Sequence, residues 1–262
     1  MSLALLLGLL QGVTEWVPVS SEGVVAATYS FFLKRPLEEA VAYALWLHVG
    51  TLFSAIIVFR RELMQIAREL LILRRRPSPL TFFLIVSSLV SGAVGLPLLL
   101  LLRHVPNVAG AGVMAVVGSL MLVTGGVQLR RPQPGTRHRD ELSYIDSTLA
   151  GVAQGIAALP GLSRSGLTIA VLLSRRIDRR EALALSFLMS VPASLGAGVY
   201  SAATQPGLAL TGSSAAAILV AFLVGLLTIR GLLAVAGQLS FAWIVLLMGL
   251  LILGGAAFQI AL

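Results

Sequence analysis

The residues best able to do chemistry in this chain sit in two short stretches of matching design. From Gln11 to Gly23 the sequence reads Q-G-V-T-E-W-V-P-V-S-S-E-G, and from Gln154 to Gly166 it reads Q-G-I-A-A-L-P-G-L-S-R-S-G. Each runs Gln-Gly, proline, serines, glycine, with twelve positions from the glutamine to the last glycine. Together they place the carboxylates Glu15 and Glu22, the hydroxyls of Ser20, Ser21, Ser163 and Ser165, and the guanidinium of Arg164 inside otherwise apolar segments. Ionisable groups at bilayer depth are costly and mark functional sites by default. An arginine there needs an anionic partner, which Glu15, Glu22 or a bound anion supplies, and its planar fork suits phosphate oxygens. A short helix restarts after each break, near Gly23 and Gly166, and its free N–H groups and positive dipole end favour an anion. Gln11 and Glu15, four apart, share one helix face and can both point into the same cavity. This set is suited to holding a phosphate or diphosphate.

The elements that position these groups follow from composition and hydropathy. With 57% hydrophobic and 11% charged residues and a mean hydropathy of +0.95, the chain reads as a polytopic all-α integral membrane protein. The first segment lacks a charged n-region and a small-residue cleavage site, so it reads as part of the mature fold. There are no cysteines, which excludes disulfides, thiolate metal sites and thiol nucleophiles. Residues 2–33 and 143–173 read as re-entrant helical hairpins, because each arm is shorter than a span and breaks at Pro and Gly. Transmembrane helices are expected near 41–59, 80–102, 108–129, 181–203, 213–229 and 241–260, with a basic loop over 60–76. Six spans and two hairpins give a single membrane domain of two repeats, 1–129 and 143–262, each a hairpin plus three spans. An odd number of crossings per repeat inverts the second relative to the first, an architecture of transporters with sites at the repeat interface. The net charge of +8 falls mainly in arginine-rich loops, fifteen basic residues on one face against three on the other. That bias reports topology and not nucleic acid, and it places both termini outside the cytoplasm of a multi-pass protein of the cell membrane.

Several polar residues have structural readings. Ser20 is best read as the cap of the second hairpin arm, and Glu15 paired with Arg164 would hold the two halves together. His48, in mid-span, reads as a packing histidine. The arginine loops read as topology signals and anionic-lipid contacts. The runs G-A-G-V-M-A-V-V-G and A-S-L-G-A-G read as close helix packing.

The two motifs, with E-A-L-A-L-S-F-L-M-S-V-P-A-S-L-G-A-G from Glu181 to Gly198, resemble the undecaprenyl pyrophosphate phosphatase family of the bacitracin-resistance type over essentially the whole chain. The resemblance implies a membrane phosphohydrolase that removes the terminal phosphate from the polyprenyl diphosphate carrier of cell-envelope glycan synthesis, acting on the outer face with a divalent cation (Mg²⁺ or Ca²⁺). It implies Glu15, Ser21 and Arg164 as catalytic residues, Gln11, Ser20, Ser163, Ser165 and Gly166 as substrate-binding residues, and Glu15 and Glu22 as metal ligands. Its partners would be the lipid diphosphate and the bilayer, and a homodimer is an open arrangement. Three departures stand out: Glu22 replaces a threonine, Val24 stands where the family has a catalytic histidine, and Ile244 and Val245 stand in place of a C-terminal Tyr-Arg pair. Two functions therefore stay open, a phosphatase with Ser21 as nucleophile and Glu15 as base, and a transporter that only binds the lipid phosphate and moves it across the bilayer.

Overall fold

The protein is described from a computed structural model over residues 1–72, 77–102, 111–129, 135–159, 161–204, 207, 211–235 and 242–261. Arg74, Arg75, Arg76, Arg103, Arg130 and Arg131, on which part of the charge asymmetry rests, lie outside these residues, as do Pro160 and the first positions of the expected span at 108–129. The helices are α1 (Ser2–Thr14), α2 (Ser21–Leu33), α3 (Leu37–Val58), α4 (Arg60–Leu71), α5 (Pro79–Leu102), α6 (Ala111–Leu129), α7 (Tyr144–Ile156), α8 (Arg164–Ser174), α9 (Arg179–Thr204), α10 (Gly212–Val235) and α11 (Ala242–Ala261). Among the described residues four helices are long and apolar enough to cross a membrane: Glu38–Val58, Pro79–Leu101, Arg179–Thr204 and Gly212–Ala234. The chain is an all-α integral membrane protein, as its composition requires.

The breaks have local causes. α1 ends at Thr14, because Pro18 lacks an N–H and its ring clashes with the carbonyl four residues back, that of Thr14. α2 starts at Ser21, just ahead of the expected restart near Gly23, since Ser20 is its N-cap and accepts a hydrogen bond from Gly23 N–H. Glu22 therefore lies in the first turn of α2. α8 repeats the design with Ser163 as cap, accepting from Gly166 N–H. The expected basic loop at 60–76 is instead helical over Arg60–Leu71, because R-R-E-L-M-Q-I-A-R-E-L-L has helical amphipathic spacing. Hydrogen bonds from Thr81, Gln65 and Ser78 hold the Glu69 carboxyl down to about 2 and tie this helix to the start of α5.

Helix packing repeats between the halves. α1 packs on α10 as α7 packs on α5; α3 packs on α9, and α6 on α11. Exchanging α1 with α7, α3 with α9, α5 with α10 and α6 with α11 maps this pattern onto itself. Both hairpins make their close approach with a Gly-x-x-x-Gly pair. A Cβ on Gly8 would meet the Ala217 carbonyl oxygen at 2.3 Å, and one on Gly151 the Ser87 carbonyl oxygen at 2.7 Å. Gly12 and Gly155 are equally crowded against α10 and α5.

The two breaks meet on α6. Ser20 Oγ also accepts from Gly161 N–H at 3.0 Å, while Ser163 Oγ donates to the Val19 carbonyl at 3.1 Å. Ser165 Oγ donates to the Val17 carbonyl, and Thr124 of α6 accepts from Ser163 N–H. Gly161 has φ +106°, where a side chain would be strained, and a Cβ there would meet the Val117 carbonyl oxygen at 2.7 Å. The start of α7 is fixed separately, through Asp146, whose carboxylate accepts from Arg137 at 2.8 Å and from Arg175 at 2.7 Å.

Candidate active site

The crossing of the breaks brings Glu15, just past α1, against the first turns of α2 and α8. Glu15 is 3% exposed, and both of its oxygens are engaged. Oε1 pairs with Arg164 Nη2. Oε2 accepts from Gln11 Nε2 at 2.9 Å and from Ser21 Oγ at 2.7 Å. Arg164 donates a second, longer bond to the Ser186 carbonyl of α9 at 3.4 Å. A buried carboxylate paired with a guanidinium and ringed by donors is stable; stripped of either partner it would be a lone charge in an apolar medium. The Ser21 hydroxyl points at this carboxylate, the arrangement of a hydroxyl nucleophile and its general base.

His48 is the residue that sequence reasoning misplaced. Its Nδ1 lies 2.9 Å from the Ala44 carbonyl, and because a carbonyl only accepts, Nδ1 carries a hydrogen. Nε2 then faces Glu15 Oε2 at 3.2 Å and Glu22 Oε1 at 3.8 Å. A bare Nε2 lone pair against two carboxylates would be repulsive, so this corner holds a proton among three groups. The histidine is thus in the site and not in the packing of α3. The signal was available: an ionisable side chain at span depth is a functional suspect on the same grounds as Glu15.

The other expected residues separate into two roles. Ser20 and Ser163 cap helices and tie the breaks together, as the cap reading of Ser20 anticipates; Ser163 gives its hydrogen to the Val19 carbonyl, whereas the Ser20 oxygen accepts from two backbone N–H groups. Ser165 is bonded to Val17, and Gly166 gives its N–H to the Ser163 cap. What remains for an anion is the N-termini of α2 and α8, with Arg164 itself in the first turn of α8. Val24 is buried in the apolar cluster with Val25, Val117, Met121 and Val245, so the departures that the resemblance marks at Val24 and Val245 both sit among apolar side chains.

A cavity of about 550 Å³ opens beside this cluster between α5 and α9. Glu22, His48 and Arg164 line its polar end with Gln154, and Leu96, Leu99, Ala197 and Val199 line much of the rest. Glu15 and Ser21 are not among the lining residues. For a divalent cation, the Glu15 oxygens already accept from Arg164, Gln11 and Ser21, and among the described residues no group of three His, Cys, Asp or Glu could hold a metal. Glu22 Oε2, by contrast, is buried with no hydrogen-bond partner among the described residues.

Breaking the pair should be felt in the whole fold. Arg164→Leu is expected to lower unfolding stability in detergent by about 3–5 kcal/mol, and the double variant Arg164→Leu/Glu15→Gln should regain part of that loss. Equal stability of wild type and Arg164→Leu would show that the pair is not holding the hairpins together.

Comparison with known proteins gives the family. The undecaprenyl-diphosphatase of Methanococcoides burtonii is 38% identical, with 96% of each chain covered. That of Methanopyrus kandleri is 40% identical over 94% of this chain and 92% of its own, and that of Haloarcula marismortui 36% identical over 96% of both. The profile of the family described as Bacitracin resistance protein BacA matches residues 4–251. The chain, with its paired breaks and buried Glu15–Arg164 centre, belongs to the BacA family.

Proposed function

We propose that this chain hydrolyses undecaprenyl diphosphate or a related polyprenyl diphosphate to the monophosphate and inorganic phosphate, with Ser21 as nucleophile. The observation that carries the reading is the bond from Ser21 Oγ to Glu15 Oε2 at 2.7 Å, beside an arginine and two helix N-termini suited to phosphate. The cavity supports a lipid substrate, since its charged end continues into apolar walls.

The residues suggest an order of events. An incoming diphosphate competes with Glu15 for Arg164. As the guanidinium turns to the phosphate oxygens, Glu15 loses its strongest partner and becomes a better base for the Ser21 proton. Ser21 Oγ attacks the terminal phosphorus, the P–O bond to the lipid phosphate breaks, and a phosphoserine forms. The leaving lipid monophosphate takes a proton from the His48 corner, and water, deprotonated by the same groups, then releases phosphate and restores Ser21. In this scheme His48, reaching in from α3, supplies the imidazole that the hairpin lacks at Val24, and Glu22 orients it. Mg²⁺ or Ca²⁺, where used, would be held by Glu22 Oε2 together with diphosphate oxygens, and would offset the negative charge of the diphosphate.

We further infer six crossings, with α6 and α11 completing the set, two re-entrant hairpins in inverted repeats, and both termini outside the cytoplasm. The fifteen-to-three asymmetry of basic residues supports this orientation.

Two experiments test these readings. Purified protein should release phosphate from undecaprenyl diphosphate, with kcat lowered by about 10²-fold or more in Ser21→Ala and His48→Ala; binding without release by the wild type would instead favour the transporter. Because the chain has no cysteine, Ser2→Cys should be labelled by an impermeant maleimide on intact cells and Arg61→Cys only after lysis, and the reverse pattern would overturn the orientation.

A further inference from the structure

The second hairpin keeps a glutamine for which the proposed reaction has found no use. Gln154 is 5% exposed and lines the cavity, yet neither its Nε2 nor its Oε1 has a hydrogen-bond partner among the described residues. A buried amide left unsatisfied on both atoms is costly, and such a group calls for an explanation.

The repeat supplies one. In the first hairpin Gln11 donates to Glu15, four residues on along the same helix face. In the second hairpin the residue four after Gln154 is Ala158, which also lines the cavity. The geometry that gives Gln11 a carboxylate acceptor therefore gives Gln154 open cavity. The anion that Glu15 provides in one repeat is missing from the other, and Arg164 borders the same space.

We propose that Gln154 and Arg164 form a second phosphoryl subsite in this cavity, which takes the place of the carboxylate absent at Ala158. Nε2–H donates to a non-bridging phosphate oxygen, and Oε1 accepts from a P–OH or from a water that the phosphate carries. The subsite rests on the reading of the cavity as a phosphate-ester site. It holds a phosphoryl group while the terminal phosphate faces Ser21, and its ligand is either the phosphate that stays on the lipid or free inorganic phosphate.

The test is equilibrium binding of radiolabelled farnesyl diphosphate and of inorganic phosphate to the purified full chain in detergent, for wild type, Gln154→Leu and Gln154→Glu. Farnesyl diphosphate should bind about 10- to 100-fold more weakly to Gln154→Leu, the loss expected for one hydrogen bond to a charged group, and still more weakly to Gln154→Glu, whose carboxylate repels the ligand. The thermal midpoint of Gln154→Leu should not fall, since the change removes two unsatisfied polar atoms; Gln154→Met serves in its place if that variant does not fold. A parallel loss of inorganic phosphate binding assigns the subsite to free phosphate as well, and an unchanged phosphate affinity assigns it to the lipid-attached group; both support the proposal. Wild-type affinity for both ligands in the folded variants overturns it. Because binding needs no turnover, a wild type that binds but does not hydrolyse would sink the phosphatase reading and leave the subsite standing, whereas a wild type that binds neither ligand would remove both.

Discussion

The structure depends on one buried ion pair. Glu15 comes from the first hairpin and Arg164 from the second, and neither charge could remain at this depth alone. Their pairing requires that the two breaks meet, and the meeting is built in backbone and hydroxyl terms around it. Ser20 receives Gly161 N–H, Ser163 reaches the Val19 carbonyl, and both rest on α6. Close approach of the hairpins to the long helices, through Gly8 and Gly12 in one half and Gly151 and Gly155 in the other, holds the breaks at that point. The same arrangement sets two helix N-termini beside one guanidinium, so the elements that satisfy the protein's own charges are those that suit a phosphate.

That economy shapes the chemistry. Glu15 is the anion at the crossing, and Arg164, Gln11, Ser21 and His48 all address it. In the proposed reaction a diphosphate enters by replacing Glu15 as the partner of Arg164, which would loosen the carboxylate at the moment Ser21 needs a base. In the same proposal the leaving group takes its proton from the corner where His48 Nε2 faces Glu15 and Glu22. Nothing in this scheme needs a histidine at position 24, where Val24 belongs to the apolar cluster instead.

How much of this could be read from the sequence depends on whether the evidence was local. The all-α membrane fold, the two breaks and the gathering of Glu15, Ser21 and Arg164 were legible, because polar residues recurred at matched positions in apolar surroundings. The capping of α2 by Ser20 was legible from serine chemistry, but its second bond, to Gly161, lies far along the chain and has no local signature. His48 was misjudged although an ionisable side chain at span depth is itself a signal; what the sequence could not show was its partners, which come from α2 and the turn after α1. The helix at Arg60–Leu71 was hidden by its charge, although its periodicity was present. Ser163 and Gly166, expected at the ligand, are hydrogen-bonded to each other as cap and first turn of α8, a role that serine chemistry also made legible.

The most direct test of the central claim, that Glu15 activates Ser21 for attack on a phosphate held by Arg164, is mass spectrometry of the protein quenched during a single turnover of undecaprenyl diphosphate. The account predicts a transient phosphate on Ser21, present in the wild type, strongly reduced in Glu15→Gln and Arg164→Ala, and absent in Ser21→Ala. Phosphate release at the wild-type rate by Ser21→Ala, with no phosphoserine formed, would contradict it.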